Sequence, residues 1–328
     1  MVNGGMTGRF RAACAMAYLM LAAAGAGAQA DDYPSHPITF VSPYAAGGSG
    51  DGVCRLISSM LAKKIGQTIV HESRPGANIE IALTSVAKAK PDGYTVLCAP
   101  SPMLVNPHIF KDTKYDPFRD FDPIGLAMTY NYVLYVSQDV PARTMAEFVA
   151  LAKAQPGKLT YGSSGVGNGS HLAFEMLSNV AKIDVLRVPY KASSQVLVDL
   201  LAGRISAAFD AASSMDAITG TGKARALASE RPIPSRPDLP RISDAVPGFS
   251  LNAWFGLAAP KGMPADRVAL LSKGLNEVLR DPAYVSHLTQ GAMVPAQPST
   301  PAEFGKFMRT EFERYGKLVR ENDIQPER

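Results

Sequence analysis

From Ile38 onward, short apolar runs alternate with stretches whose apolar residues recur every three or four positions, and glycine or proline marks nearly every junction. Ile38 to Pro43, Thr68 to His71 and Tyr94 to Cys98 read as buried strands. Between them, Asp51 to Ile65 places Val53, Leu56, Ile57, Met60 and Leu61 at helical spacing, and Ile79 to Ala89 does the same before Pro91-Asp92-Gly93 stops it. A strand–helix–strand–helix–strand order implies an α/β fold built on a mainly parallel sheet with helices on both faces. The scheme then repeats. Helices are expected at Thr144–Gln155, Gly169–Ala181 and Ser194–Leu201, and strands at Leu159–Gly162, Val185–Val188, Ala207–Asp210 and Ala224–Ala228.

Two further strand-like stretches, Ile124 to Ser137 and Leu251 to Ala259, read as crossings between two lobes, and Pro232 to Pro240 as a surface loop. After Pro260 come two helices, a short strand near Met293 to Ala296, and a last helix with Phe304, Phe307, Met308, Phe312, Tyr315 and Val319 on one stripe. The expected organisation is a discontinuous first lobe, residues 31–131 and 252–328, and a second lobe, residues 132–251. Two crossings make a hinge, which suits closure around a ligand.

The first thirty residues read as a cleavable secretory signal. Arg9 and Arg11 precede an apolar run, and Ala28-Gln29-Ala30 has the small-x-small form of a cleavage site, making Asp31 the first mature residue. The run is short for a membrane span, which takes about 20 residues. Cys14 lies inside it rather than after it, which disfavours a lipoprotein. A periplasmic location follows. The chain has 33 basic and 29 acidic residues, so the mature charge is about +2, far from the strongly basic face that nucleic acid favours. Five scattered histidines show no metal-ligand spacing, and no metal or cofactor is expected. An exported protein is permitted a disulfide between Cys54 and Cys98, but two cysteines in so large a chain more often serve as small buried side chains, and spacing leaves the pairing open.

Two glycine-rich junctions carry the chemistry. Pro43-Tyr44-Ala45-Ala46-Gly47-Gly48-Ser49-Gly50-Asp51 joins the first strand to the first long helix. Its glycines permit a sharp turn with N–H groups exposed, and the helix start adds unsatisfied donors and partial positive charge. Asp51 is a good N-cap, and Ser49 supplies a hydroxyl. Tyr161-Gly162-Ser163-Ser164-Gly165-Val166-Gly167-Asn168-Gly169-Ser170-His171 is a second strand-to-helix junction with hydroxyls, N–H groups and one imidazole. One such loop is weak; one per lobe suggests facing halves of a single anion site. Neither has the Walker lysine pattern or the dinucleotide spacing. A serine hydrolase using Ser164 or Ser170 with His171 is the competing reading, but the G-x-S-x-G elbow is absent.

The chain resembles the solute-binding proteins of tripartite tricarboxylate transporters, the Bug family, over nearly the whole mature length. The marks are the Pro43–Asp51 loop, Arg74-Pro75-Gly76-Ala77, Pro91-Asp92-Gly93-Tyr94-Thr95, Tyr115-Asp116-Pro117, Ser163-Ser164-Gly165 to His171-Leu172, Val188-Pro189-Tyr190-Lys191, Phe209-Asp210 and Trp254-Phe255-Gly256-Leu257. The resemblance implies a two-lobed periplasmic-binding-protein fold and no catalysis. It further implies a monomer that binds a small carboxylate, a di- or tricarboxylate or an aromatic acid, and hands it to a membrane permease. A ligand sensor for a membrane kinase would use the same fold. By motif match the ligand-binding residues are Tyr44, Gly47, Gly48, Ser49 and Asp51 in the first loop, and Ser163, Ser164, Gly169, Ser170 and His171 in the second. Ser101, Tyr190 and Asp210 are expected at strand ends facing the same cleft. Asp210 would repel an anion unless it held water, accepted an amine or capped a helix. Ala192 and Ala211 stand where the family often has glycine and asparagine, and less polarity there favours a larger or aromatic acid; Tyr44 stands where it usually has phenylalanine and adds a hydroxyl near the ligand.

Overall fold

The computed structural model describes residues 32–291, 293–321 and 324–325; the expected signal and its cleavage site lie outside them. The chain divides into a short leading unit, Met1–Ser35, and one compact unit, His36–Arg328. Both sheets lie in the second.

Chain order is β1 (Ile38–Ser42), α1 (Ser49–Ile65), β2 (Ile69–Ser73), α2 (Glu80–Ala87), β3 (Thr95–Pro100), α3 (Pro102–Ile109), β4 (Phe121–Thr129) and β5 (Tyr132–Ser137). Then come α4 (Met145–Ala154), β6 (Thr160–Ser163), α5 (Gly169–Ala181), β7 (Leu186–Pro189), α6 (Ser193–Leu201) and β8 (Ala207–Ala211). After a 3-10 turn at Ala212–Ser214 follow α7 (Met215–Thr219), β9 (Ala224–Ser229), α8 (Ile242–Ala245), β10 (Trp254–Pro260), α9 (Ala265–Leu279), α10 (Pro282–Gln290), β11 (Val294–Pro295) and α11 (Pro301–Glu321). One sheet has the order β11-β4-β10-β3-β1-β2 and the other β7-β6-β8-β5-β9. Two sheet-cored lobes flanked by helices result, as the alternation of segments implies. The sheets are mixed rather than mainly parallel. β1 pairs parallel with β2 and β3, and β6 with β7 and β8. The strands next to the crossings, β4, β5 and β10, pair antiparallel with their neighbours, because they enter each sheet without a crossover helix.

The chain leaves the first sheet after Thr129 and returns to it at Trp254. The single long strand expected over Ile124–Ser137 is broken at Tyr130-Asn131. There Asn131 donates from Nδ2 to the Arg231 carbonyl at 2.9 Å and accepts the Arg231 N–H at 3.0 Å. The Arg231 guanidinium reaches Thr129 Oγ1 at 2.7 Å and Asn252 Oδ1 at 2.6 Å, tying the outgoing chain to the returning one. Glu230 accepts the N–H groups of Leu251 and Asn252. The last helix packs Phe304, Met308, Tyr315 and Val319 inward and fastens the return crossing from outside. Arg314, paired with buried Glu311, donates to the Leu251 carbonyl, and Tyr315 donates to that of Asn252.

Pro232–Pro240 is not wholly a surface loop: Ile233 and Leu239 are buried in the second lobe's core beside Val133, Tyr135 and Leu200. Cys54 and Cys98 form a disulfide, so the free, buried state expected as more usual is not what the structure has. The bond fastens α1 to β3 one turn into the helix, where both side chains are fully buried.

Asp51 is also fully buried, and its carboxylate braces the first loop. Oδ1 faces His71 Nε2 and accepts from Ser73 Oγ, both at 2.8 Å, while Oδ2 accepts from Arg55 Nε at 2.7 Å and the Gly47 N–H at 3.3 Å. Burial acts to raise its pKa, but these hydrogen bonds outweigh it and hold the carboxyl well below the usual range. The start of α1 is thereby tied to the end of β2.

Two outcomes follow. Replacing both cysteines, C54A/C98A, lowers unfolding free energy by about 2–4 kcal/mol, and reductant does the same to the native protein; denaturant melts that ignore reductant would contradict the bond. Asp51→Ala costs roughly 3 kcal/mol at pH 7 by stripping the buried donors of their acceptor. Since the folded pKa lies below the ordinary 3.8, the carboxylate's contribution is complete above that value and fades as pH falls beneath it. The stability gap between native protein and D51A narrows in acid.

Candidate functional site

Five strands of the two sheets, β1, β3, β6, β7 and β8, end towards one cavity of about 250 Å³, at the carboxyl ends where α/β sheets place ligands. The first lobe contributes the loop after β1, with Tyr44, Gly48 and Gly50, and the turn after β3, with Ser101. From the second lobe come Ser164, Asn168, Gly169 and Ser170 after β6, Lys191 and Ser193 after β7, and Asp210 closing β8. Tyr130 and Tyr132 at the outgoing crossing, and Phe255 at the start of β10, line it from the hinge side. The cavity is therefore shared by both glycine-rich loops.

The donors there are mostly backbone. No side chain caps α1, whose N-cap is Gly48, nor α6, whose N-cap is Ala192. Neither N-cap therefore supplies a side-chain acceptor to the first N–H groups of its helix. α5 differs: Asn168 Oδ1 accepts the His171 N–H at 3.0 Å and the Ser170 hydroxyl at 2.9 Å, while Asn168 Nδ2 donates to Ser164 Oγ at 2.8 Å. Close approach explains Gly169, since a Cβ there would lie 2.0 Å from the Tyr132 hydroxyl. Gly47, at φ +81°, takes the left-handed turn that brings its N–H to Asp51.

Among the expected site residues, Tyr44, Gly48, Ser101, Ser164, Gly169, Ser170 and Asp210 line the cavity, and Gly47, Asp51, Ser163, His171 and Tyr190 do not; the Ser49 side chain lies outside the described part of the structure. Asp51 and Gly47 brace each other behind the loop. Ser163 is fully buried and its hydroxyl has no hydrogen-bond partner among the described residues. Tyr190 donates to Asp199 at 2.7 Å. His171 turns inward: Nδ1 accepts the Gly167 N–H at 3.1 Å and Nε2 lies 3.5 Å from Glu175. Burial, with the Arg187 charge, lowers its pKa to about 4, leaving the ring neutral. With Ser164 and Ser170 both bonded to Asn168, the nucleophile–base pairing that a hydrolase would need is not made.

Several lining residues escape a reading of sequence. Lys191 belongs to a recognisable motif, yet nothing local points it at a cleft. Asn168 has a readable signal, a capping residue before Gly-Ser-His. Asn78 has none: its side chain crosses between lobes, donating to the Val166 carbonyl at 2.6 Å and to Asn106 Oδ1 at 3.0 Å. It lies in the run Ala77, Asn78, Ile79, at φ +45°, +50° and +71°. Three successive non-glycine residues in the left-handed region, one β-branched, store strain beside the contact.

Charge on the lining is sparse. Lys191 and Asp210 carry the only ammonium and carboxyl groups among the described lining residues. Burial raises the Asp210 carboxyl to about 6, against hydrogen bonds from the Ala211 N–H and Ser214 hydroxyl that act to lower it. Burial, and then Tyr130, lifts the Tyr44 hydroxyl far above its ordinary range; Tyr132 is lifted likewise. Both phenols stay protonated and able to donate. No group of histidine, cysteine, aspartate and glutamate suited to a metal occurs among the described residues, and no described helix is long and apolar enough to cross a membrane. A larger cavity, about 980 Å³, lies between α9 and α11 around Val268, Ser272 and Gly305; none of its lining comes from either glycine-rich loop.

Known proteins share this design. The family described as the tripartite tricarboxylate transporter family receptor matches residues 53–324. A protein of Pseudomonas sp. (strain P51), from the tcbD-tcbE intergenic region, is 34% identical over 316 residues, covering 95% of this chain and 94% of its own. A solved R. palustris protein with adipate has a TM-score of 0.85 at 29% identity, covering 90% of this chain and 100% of that one. MatC from Rhodopseudomonas palustris, with bound malate, has a TM-score of 0.80 at 28% identity, covering 88% and 100%. The two-lobed architecture is that of periplasmic binding proteins. With a match across most of its length and strand ends converging between two lobes, the chain belongs to the tripartite tricarboxylate transporter receptor family.

Proposed function

We propose that this protein captures a small carboxylate outside the cytoplasmic membrane by closing its two lobes, and delivers it to the permease of a tripartite carboxylate transporter. Residues 1–30 direct export and are removed. The observation that carries the reading is the cavity lined by both glycine-rich loops, with uncapped helix starts from opposite lobes. Adipate and malate in structural relatives support a carboxylate guest.

A carboxylate entering the open cleft accepts from N–H groups of α1 on one side and α6 on the other, with the hydroxyls of Ser101, Ser164, Tyr44 and Tyr132 as neutral donors. Because the guest touches both lobes only when they meet, it favours the closed state. Asn78 adds a contact between lobes that exists only in that state. Lys191 draws the anion in, and Asp210 opposes it whenever ionised. No step makes or breaks a covalent bond.

Isothermal titration of the mature protein with a panel of carboxylates tests the reading. Saturable binding without turnover is expected; a panel that leaves the protein untouched would sink it. Gly169→Ala pushes Tyr132 from its seat and weakens binding at least tenfold, with a much smaller effect on melting. Asn78→Ala weakens binding about fivefold, the worth of roughly one hydrogen bond, through faster dissociation. Asp210 gives a pH signature. Its folded pKa of about 6 stands above the ordinary 3.8, so its charge is suppressed as pH falls through 6. Affinity for ligands that stay ionised should rise between pH 7.5 and 5.5, and Asp210→Asn should bind as tightly at pH 7.5 as at 5.5. An equally steep pH profile in D210N would assign the effect elsewhere.

A further inference from the structure

The rings on the hinge side of the cavity form one continuous series. Tyr44 lies 5.7 Å from Phe255, Phe255 lies 5.5 Å from Tyr130, and Tyr130 lies 5.7 Å from Tyr132, each pair tilted by between 35° and 49°. The series begins on the first lobe, passes the crossing and ends at the second. All four residues line the cavity. Tyr130 and Phe255 are buried, and Tyr44 and Tyr132 are partly so. Ala192 and Ala211, also on the lining, add methyl groups rather than polar ones.

Taking the carboxylate reading as given, the geometry points to an aromatic monocarboxylate as the guest: its single carboxylate on the helix-start amides, its ring against Tyr44, Phe255 and Tyr130. Three features favour this over a flexible or multiply charged acid. Tilted neighbouring rings present both faces and edges, the arrangement in which a further ring packs offset or edge-on. Ring faces carry negative quadrupole density, so a second carboxylate placed there would be repelled as well as desolvated. Finally, Lys191 is the only cationic side chain among the described lining residues, and Asp210 faces the same space. A citrate-like trianion would enter with most of its charge uncompensated, whereas one carboxylate is matched by neutral donors alone. A volume of about 250 Å³ accommodates a substituted six-membered ring and its carboxyl group.

Calorimetry with benzoate, cyclohexanecarboxylate, adipate, malate and citrate separates the possibilities. Benzoate and cyclohexanecarboxylate share charge and ring size and differ in aromaticity. Benzoate is expected to bind at least tenfold more tightly than cyclohexanecarboxylate and than either aliphatic diacid, with citrate weakest. Tyr44→Leu should reduce the benzoate preference to threefold or less while cyclohexanecarboxylate changes little. Should Phe255→Leu, at a buried position, impair folding, upfield shifts of the benzoate protons on binding to the native protein report ring stacking directly. Malate, adipate or cyclohexanecarboxylate binding as tightly as benzoate would overturn the aromatic assignment and leave carboxylate capture standing. If no acid of the panel binds, carboxylate capture itself falls, and the aromatic assignment with it.

Discussion

Backbone amides at the starts of α1 and α6 govern this molecule. A buried N–H must find an acceptor, and neither helix carries a side chain that supplies one at its N-cap. Both helix starts lie at a cavity lined from both lobes, and in the proposed function an anion completes two unfinished helices at once. The surrounding structure keeps those helices still. The disulfide pins α1 to β3, and Asp51 ties the same helix to β2 through His71 and Ser73. On the facing lobe, Asn168 fixes the Ser164–Ser170 loop from within. Rigid amides can prefer a guest of one shape; amides on loose loops would follow any anion.

Asp51 and Asp210 show how one residue type serves opposite ends. Both are buried, and burial acts on both to raise the carboxyl pKa. Asp51 receives side-chain hydrogen bonds from a histidine, a serine and an arginine, and becomes a fixed anion outside the cavity. Asp210 receives a backbone N–H and one hydroxyl, not enough to offset desolvation, and stays poised between charged and neutral at the cavity wall. The number of donors decides between strut and titrating group.

That contrast marks the limit of what the sequence discloses. The strand–helix alternation, the glycine-rich junctions and the core face of the last helix were readable, because periodicity and turn chemistry are local. The loop Pro43–Asp51 could be recognised as a cradle, but not that Gly48 and Gly50 face the cavity while Gly47 and Asp51 turn away, since that depends on His71 and Ser73 arriving from β2. His171 likewise reads as a ligand-binding imidazole beside serines, and only the fold of Gly165–Asn168 back onto its ring shows it as an internal acceptor. α3 was hidden by Pro102 at its start and Pro107 inside it, residues that argue against a helix until buried packing overrides them. Tyr130 and Asn131 sat within a run that read as one strand; Asn131's partner Arg231 is 100 positions away, and the Tyr130 N–H donates to the Ala253 carbonyl.

The same long-range pairing explains how the lobes can move without losing register. Arg231 binds Thr129 before the outgoing crossing and Asn252 at the returning one, while Arg314 and Tyr315 hold the return segment against the last helix. The crossings are thus bound to each other, while across the cleft Asn78 supplies a side-chain bond to Val166. In the proposed closure, motion concentrates on rotation about the joined crossings. The strained backbone at Ala77–Ile79 lies on the side that must part, away from the side that must hold. In the proposed function, a guest bridging the two sets of amides opposes the opening motion directly. Affinity and closure are one free energy here, set by how well the guest reaches both helix starts while the hinge-side rings accept its body.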